Sequence, residues 1–186
     1  AVEIENLVAI KTAPFNRYDT LDVLRAVADG NRQGSIAMYT GNDDNILLDL
    51  LTPVRFSEKE DAPGIRFRGG LLGQWAVWTH QAVKDLEAIK DLRAHGGEIP
   101  ISRLTRAQQL TDANAAIFDA GNSFSGCIPG IHEILRRQGL LEGLWTLNPN
   151  EVLSPGQSEA LDRVCQAYPS LNDDEFVKEN LDRWLR

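Results

Sequence analysis

Three short apolar runs, each followed by an amphipathic stretch, begin at Asn6, Ser35 and Gly64. Their spacing of roughly thirty residues is the length of one strand–helix–strand repeat, and it constrains the fold more than any other feature. Asn6-Leu7-Val8-Ala9-Ile10 is nearly continuous in apolar residues, which predicts a strand buried on both faces. From Asp19 to Asp29, Leu21, Leu24, Val27 and Ala28 recur at helical spacing, and Gly30 follows as a stop. Ser35 to Thr40 is the second strand. Gly41-Asn42-Asp43-Asp44 then opens a helix through Ile46, Leu47, Leu50 and Leu51, its acidic pair matched to the positive end of the macrodipole. The third strand, Gly64 to Arg68, leads through Gly69-Gly70 into a long helix from about Leu71 to Arg93. Strand and helix alternate with no hairpin turn between strands, which predicts an α/β fold on a parallel sheet.

The texture changes near Ala94, where Gly96 and Pro100 interrupt the chain and only helical patterns follow. They run from Thr105 to about Ala120, Pro129 to Gln138, Pro155 to Tyr168 and Asp173 to Leu185. Ser154 is read as an N-cap with Pro155 at the first helical position. Asn172-Asp173-Asp174-Glu175 is another acidic helix start. The expected organisation is therefore residues 1–93 as βα units and residues 94–186 as a helical extension. Open α/β sheets usually have five or more strands and a (β/α)₈ barrel has eight. Three units accordingly read as the last three βα units of a TIM barrel. Three strands set against helices in a small, unusual fold are the alternative.

Composition excludes several function classes. Nineteen Lys and Arg against twenty-seven Asp and Glu give a net charge of −8 over 186 residues, which argues against nucleic acid or an anionic membrane as partner. No apolar stretch approaches the ~20 residues of a membrane span. Cys127 and Cys165 are too few for a disulfide framework and have no paired ligands for zinc. With no targeting-type segment at its start, the chain is expected to be cytoplasmic, and to act as a homo-oligomer without a cofactor.

The candidate chemistry gathers where strands end. Lys11 ends the first apolar run, at the position where a barrel presents catalytic side chains. A partly desolvated lysine there can lose its proton and attack a ketone, while the plainer alternative is a lysine snorkelling to solvent. One unit later, Gly41 permits close approach of a ligand to the backbone, and Asp43 or Asp44 can accept hydrogen bonds from substrate hydroxyls. An ordinary capped loop explains the same residues. Gly69-Gly70 before a helix would make an anion cradle for a carboxylate, but the segment lacks both nucleotide-binding glycine spacings. His80, His95 and His132 share no ligand spacing, so a metal-dependent aldolase is disfavoured. Trp75 and Trp78, three apart on the long helix, read as packing residues. Ser123 and Ser125 lie in a helix–helix loop, not in a nucleophile elbow.

Val8-Ala9-Ile10-Lys11, followed one unit later by Tyr39-Thr40-Gly41-Asn42-Asp43-Asp44, resembles the last barrel strands of the dihydrodipicolinate synthase / N-acetylneuraminate lyase family. Phe118 to Gly139, Leu153-Ser154-Pro155-Gly156-Gln157 and Leu171-Asn172-Asp173-Asp174 are similar to a bacterial dihydrodipicolinate-synthase-like branch. The resemblance implies a (β/α)₈ barrel with a helical C-terminal extension, and class I chemistry in which Lys11 forms an imine with pyruvate or another 2-oxo acid. It also implies that Gly41 lines the pocket, that Asp43 and Asp44 bind the polar tail of a sugar acid, and that Gly69 and Gly70 lie near the substrate-facing end of the last strand.

Two departures qualify that reading. Thr12-Ala13-Pro14-Phe15-Asn16-Arg17 is bulkier than the small turn that usually follows the family's lysine, and it adds a cation. The carboxylate-binding motif and proton-shuttling tyrosine of the family come from earlier strands, and Tyr39, inside the second strand, is not read as their substitute. The implied reaction is a lyase, aldolase or hydro-lyase step through an imine and enamine, with the N-terminal barrel half as a necessary partner and the three units alone inactive. The competing reading is a non-catalytic, barrel-derived scaffold or ligand-binding module in which Lys11 is merely solvated.

Overall fold

A computed structural model describes residues 3–59, 62–96 and 98–186. The chain divides into two compact units: one comprises residues 1–72 and 89–107, the other residues 73–88 and 108–186. Among the described residues no helix is long and apolar enough to cross a membrane.

The first unit is α/β, as the spacing predicts. Strands β1 (Ala9–Thr12), β2 (Ala37–Thr40) and β3 (Phe67–Gly70) form one parallel sheet in the order β1-β2-β3. Helix α1 (Arg17–Asp29) joins β1 to β2, and α2 (Ile46–Leu51) follows β2. In register, Ile10 faces Met38 and Thr12 faces Thr40, while β3 takes up an extra residue, Arg68, between the partners of Met38 and Tyr39. Leu24, Val27, Met38, Ile46, Leu50 and Phe67 form the core of this unit. Asn16 starts α1, its Oδ1 accepting from the backbone N–H groups of Tyr18 and Asp19. At the far end of α2, the Arg93 guanidinium donates to the Leu50 and Phe67 carbonyls, and Arg66 donates to Leu51 O at 3.3 Å.

Three expectations for this half need correction. The first strand is not buried on both faces: it stands at the sheet edge, Ala9 and Lys11 are exposed, and Val8 just before it is 73% exposed. The acidic pair Asp43-Asp44 sits in a turn ahead of α2, which begins only at Ile46. Gly69 and Gly70 belong to β3, and the long helix predicted from Leu71 is divided into a 3₁₀ turn, Gly73–Ala76, and α3, Thr79–His95. Trp78 separates the two with φ 56°, a left-handed conformation that no continuous helix accommodates.

The second unit is helical. It holds the first part of α3, most of α4 (Ile101–Ile117), and α5 (Cys127–Arg137), α6 (Gln157–Ala167) and α7 (Asp174–Trp184). Trp78, Ile117, Ile134, Leu161 and Val164 centre its core, so Trp78 packs as expected although it is not helical. Cys165 packs against this core, and burial pushes its thiol pKa up, as suits an inert sulfur. Helix α6 begins at Gln157, after Gly156 at φ 81°, so Ser154 is not its N-cap. The Ser154 hydroxyl donates instead to Asp119 Oδ2 at 2.6 Å.

Three carboxylates in this unit have lowered pKa values. Burial alone would raise that of Asp119, but hydrogen bonds from Ser154, Asn122 and the Gly126 N–H together hold it down. Hydrogen bonds from Arg136 and Arg137 outweigh burial at Glu133, and those from Arg163 and Tyr168 outweigh it at Asp112. Each folded-state pKa lies below its unfolded value, so the stabilisation is complete at neutral pH and is lost as pH falls through the lowered pKa values. The helical unit is therefore expected to lose stability progressively below about pH 4. Amide exchange of α4 to α6 at pH 7 and pH 3 measures this, and equal protection at both would refute it.

Candidate active site

The C-terminal ends of β1 and β2 bring Lys11 and Gly41 together. A Cβ added to Gly41 would lie 2.7 Å from Lys11 Cε, 2.9 Å from Ala13 Cβ and 3.3 Å from the Leu71 carbonyl oxygen. The lysine stem thus rests on bare main chain, which only glycine leaves open there. Lys11 is solvent-exposed, as are Ala9 two residues before it and Tyr39 on β2. The parallel register partner of Lys11 is Tyr39. The Tyr39 ring in turn lies over Gly69, where an added Cβ would fall 2.7 Å from Cε1. Gly69 is therefore a platform for an aromatic ring inside β3, not half of an anion cradle at a helix start, and Gly70 pairs with Thr40. Asp43 is buried and Asp44 exposed in the turn after Gly41.

Beneath this end of the sheet lies a buried network centred on Asp49 of α2. Asp49 Oδ2 accepts from Thr40 Oγ1 at 2.5 Å and from Asn42 Nδ2 at 3.0 Å. Its Oδ1 accepts from Arg17 Nη1 at 2.7 Å and Asn45 Nδ2 at 2.9 Å. Asn42 also donates to Thr20 Oγ1 at 3.1 Å, and its Oδ1 accepts from the Phe15 N–H at 3.2 Å. One carboxylate and one amide thereby tie the loop after β1, the start of α1 and the loop after β2 into a single piece. Phe15 is held at φ 51°, an unfavourable conformation for an aromatic residue, costing about 1–3 kcal/mol. Strain of this kind persists where surrounding bonds over-determine the backbone, and here it lies four residues beyond Lys11.

Sequence reasoning placed Lys11 and Gly41 but missed Arg17, Thr40, Asn42 and Asp49. One signal was available: Asp49 interrupts Ile46-Leu47-Leu48-Asp49-Leu50-Leu51, and an acid at a core position of an apolar helix must have partners. The register pairing of Tyr39 with Lys11 had no comparable signal. Among the described residues no three His, Cys, Asp or Glu side chains are grouped to hold a metal ion. No protein-family model matches the chain, and no curated protein matches it.

Proposed function

We propose that this chain forms the C-terminal part of a class I lyase, aldolase or hydro-lyase acting on pyruvate, another 2-oxo acid or a sugar acid, with Lys11 as the imine-forming residue. The carrying observation is the seat of Lys11 on the Gly41 backbone at the C-terminal end of parallel strands. An unprotonated Lys11 amine attacks the 2-oxo carbon and water leaves, giving an iminium. The iminium accepts the electron pair when the bond beyond the neighbouring carbon breaks, the hydroxyl on the departing carbon giving its proton to a base as that fragment leaves as an aldehyde or ketone. Protonation of the resulting enamine followed by hydrolysis frees the lysine. Gly41 lets the lysine stem lie against the main chain, and the Asp49 network holds both loops in place. A parallel sheet is normally covered on both faces, so the exposed face of β1 and β2 supports completion by further barrel strands. Those strands would supply the carboxylate-binding and proton-shuttling groups.

The exposure of Lys11 favours the second reading, a non-catalytic scaffold or ligand-binding module. Borohydride reduction of the full-length protein with pyruvate and a set of 2-oxo acids separates the two. The expected result is a reduced adduct on the Lys11 peptide, absent in Lys11→Arg. Gly41→Ala should lower adduct yield about tenfold or more by displacing the amine. No adduct with any 2-oxo acid in the full-length protein would establish the scaffold reading.

A further inference from the structure

We propose that the helical unit carries a separate binding pocket for a small organic ammonium ion with an apolar or aromatic body, built on Trp145 and Glu151. The cavity measures about 530 Å³, within the range of small-molecule sites. Its lining residues all belong to the helical unit, and it does not depend on the reading of Lys11.

The pocket combines the elements that recognise such a cation. The Trp145 ring rests flat on main chain, because a Cβ at Gly143 would lie 2.9 Å from Cζ2 and 3.0 Å from Cε2. Trp145 is nevertheless 71% exposed, so the opposite face of the ring is open. An indole face carries negative electrostatic potential and is the best aromatic partner for a cation. Glu151 lines the same cavity, and no hydrogen bond or ion pair engages its carboxylate among the described residues. Asp112, Asp119 and Glu133 in the same unit are all engaged by donors. Ile128 and the exposed Leu147 border the cavity with apolar surface. His132 of α5 closes another side.

The arrangement is fixed before any ligand binds. Thr146 Oγ1 donates to Asn148 O at 2.6 Å and to Glu151 O at 3.3 Å, while the Glu151 N–H donates to Asn148 O at 2.9 Å. The Asn150 N–H donates to Asn148 Oδ1 at 3.1 Å. This knot locks the turn that presents Trp145 at one end and Glu151 at the other, which lowers the ordering cost of binding. The chain's net charge of −8 adds attraction for a cation and opposes an anionic ligand.

The test uses the whole chain, ¹⁵N-labelled, with the Trp145 indole N–H signal assigned through Trp145→Phe. Benzylamine and benzyltrimethylammonium at neutral pH should each shift that signal saturably, and neutral benzyl alcohol should bind at least about tenfold more weakly. Glu151→Gln should weaken both cations by about two- to fivefold, and Trp145→Leu should abolish saturation transfer to benzylamine. The exposure of Trp145 and the unengaged Glu151 carboxylate predict that both variants fold, which circular dichroism and the unchanged Trp75 and Trp78 indole signals verify. The proposal is overturned by no saturable shift with either cation, by an equal response to benzyl alcohol, or by unchanged affinity in Glu151→Gln. A Trp145 signal that shifts on dilution alone would also overturn it, identifying the surface as a contact between copies.

Discussion

Asp49→Ala is expected to destabilise the sheet-containing unit by about 3–5 kcal/mol, while Arg17→Ala costs under about 1 kcal/mol, although the two residues form one ion pair. The asymmetry follows from burial. Asp49 exposes 2% of its side chain and Arg17 exposes 40%, so losing the arginine leaves three other donors on the carboxylate and returns a solvated loop position. Removing the carboxylate leaves the Thr40 hydroxyl and one Asn42 N–H without an acceptor in the interior, and each unsatisfied group costs about 1–3 kcal/mol. Asp49→Asn should fall between them, because one amide oxygen can still accept while its NH₂ meets the donors of the other two partners. Urea unfolding, with amide exchange of β1 to β3 assigning the transition to this unit, measures the series. Equal costs for Asp49→Ala and Arg17→Ala would mean that the ion pair, not the buried network, holds the loops.

The same network marks where sequence reading stops. The number and order of the strands were legible from their apolar runs, as was α1 from its spacing, because those signals are local, although β1 and β3 each lie about two to three residues later than their runs. Helices α4, α5 and α7 lie within a few residues of expectation for the same reason. Long-range partners decide the remainder. Ser154 looks like an N-cap until Asp119, remote in sequence, takes its hydroxyl, and Leu71 to Arg93 looks like one helix until core packing holds Trp78 in a left-handed turn. That Lys11 lies near the end of one strand and Gly41 directly after the next was legible from the apolar runs. The placement of Tyr39 beside Lys11 and over Gly69 depends on strand register and on the extra residue Arg68, neither of which a one-dimensional pattern encodes. The −8 charge and its bearing on anionic partners were legible at once, but the seat of Trp145 on Gly143 was not.

Gln157→Ala is expected to cost the helical unit about 3–4 kcal/mol, and Gln157→Glu more than that at neutral pH. Gln157 is 3% exposed and works as a junction. Its Nε2 lies 3.2 Å from Ala116 O, 3.4 Å from Ile117 O and 3.0 Å from Gly126 O, and its Oε1 accepts from the Ser154 N–H at 3.0 Å. The first two carbonyls belong to the last turn of α4 and have no further helical partner, so alanine leaves them and the Ser154 N–H unsatisfied around a cavity. Glutamate keeps the shape but sets a carboxylate against three carbonyl oxygens, which raises its folded-state pKa above the unfolded ~4.3. The penalty of Gln157→Glu relative to the parent protein therefore grows as pH rises above that value and shrinks as pH falls. The acid loss of Asp119, Glu133 and Asp112 is common to both proteins and cancels in the difference. Unfolding midpoints of parent and variant at pH 7 and pH 4 give the comparison. A penalty that is constant across that range would show that the side chain leaves the carbonyls and reaches solvent, and that the junction is replaceable.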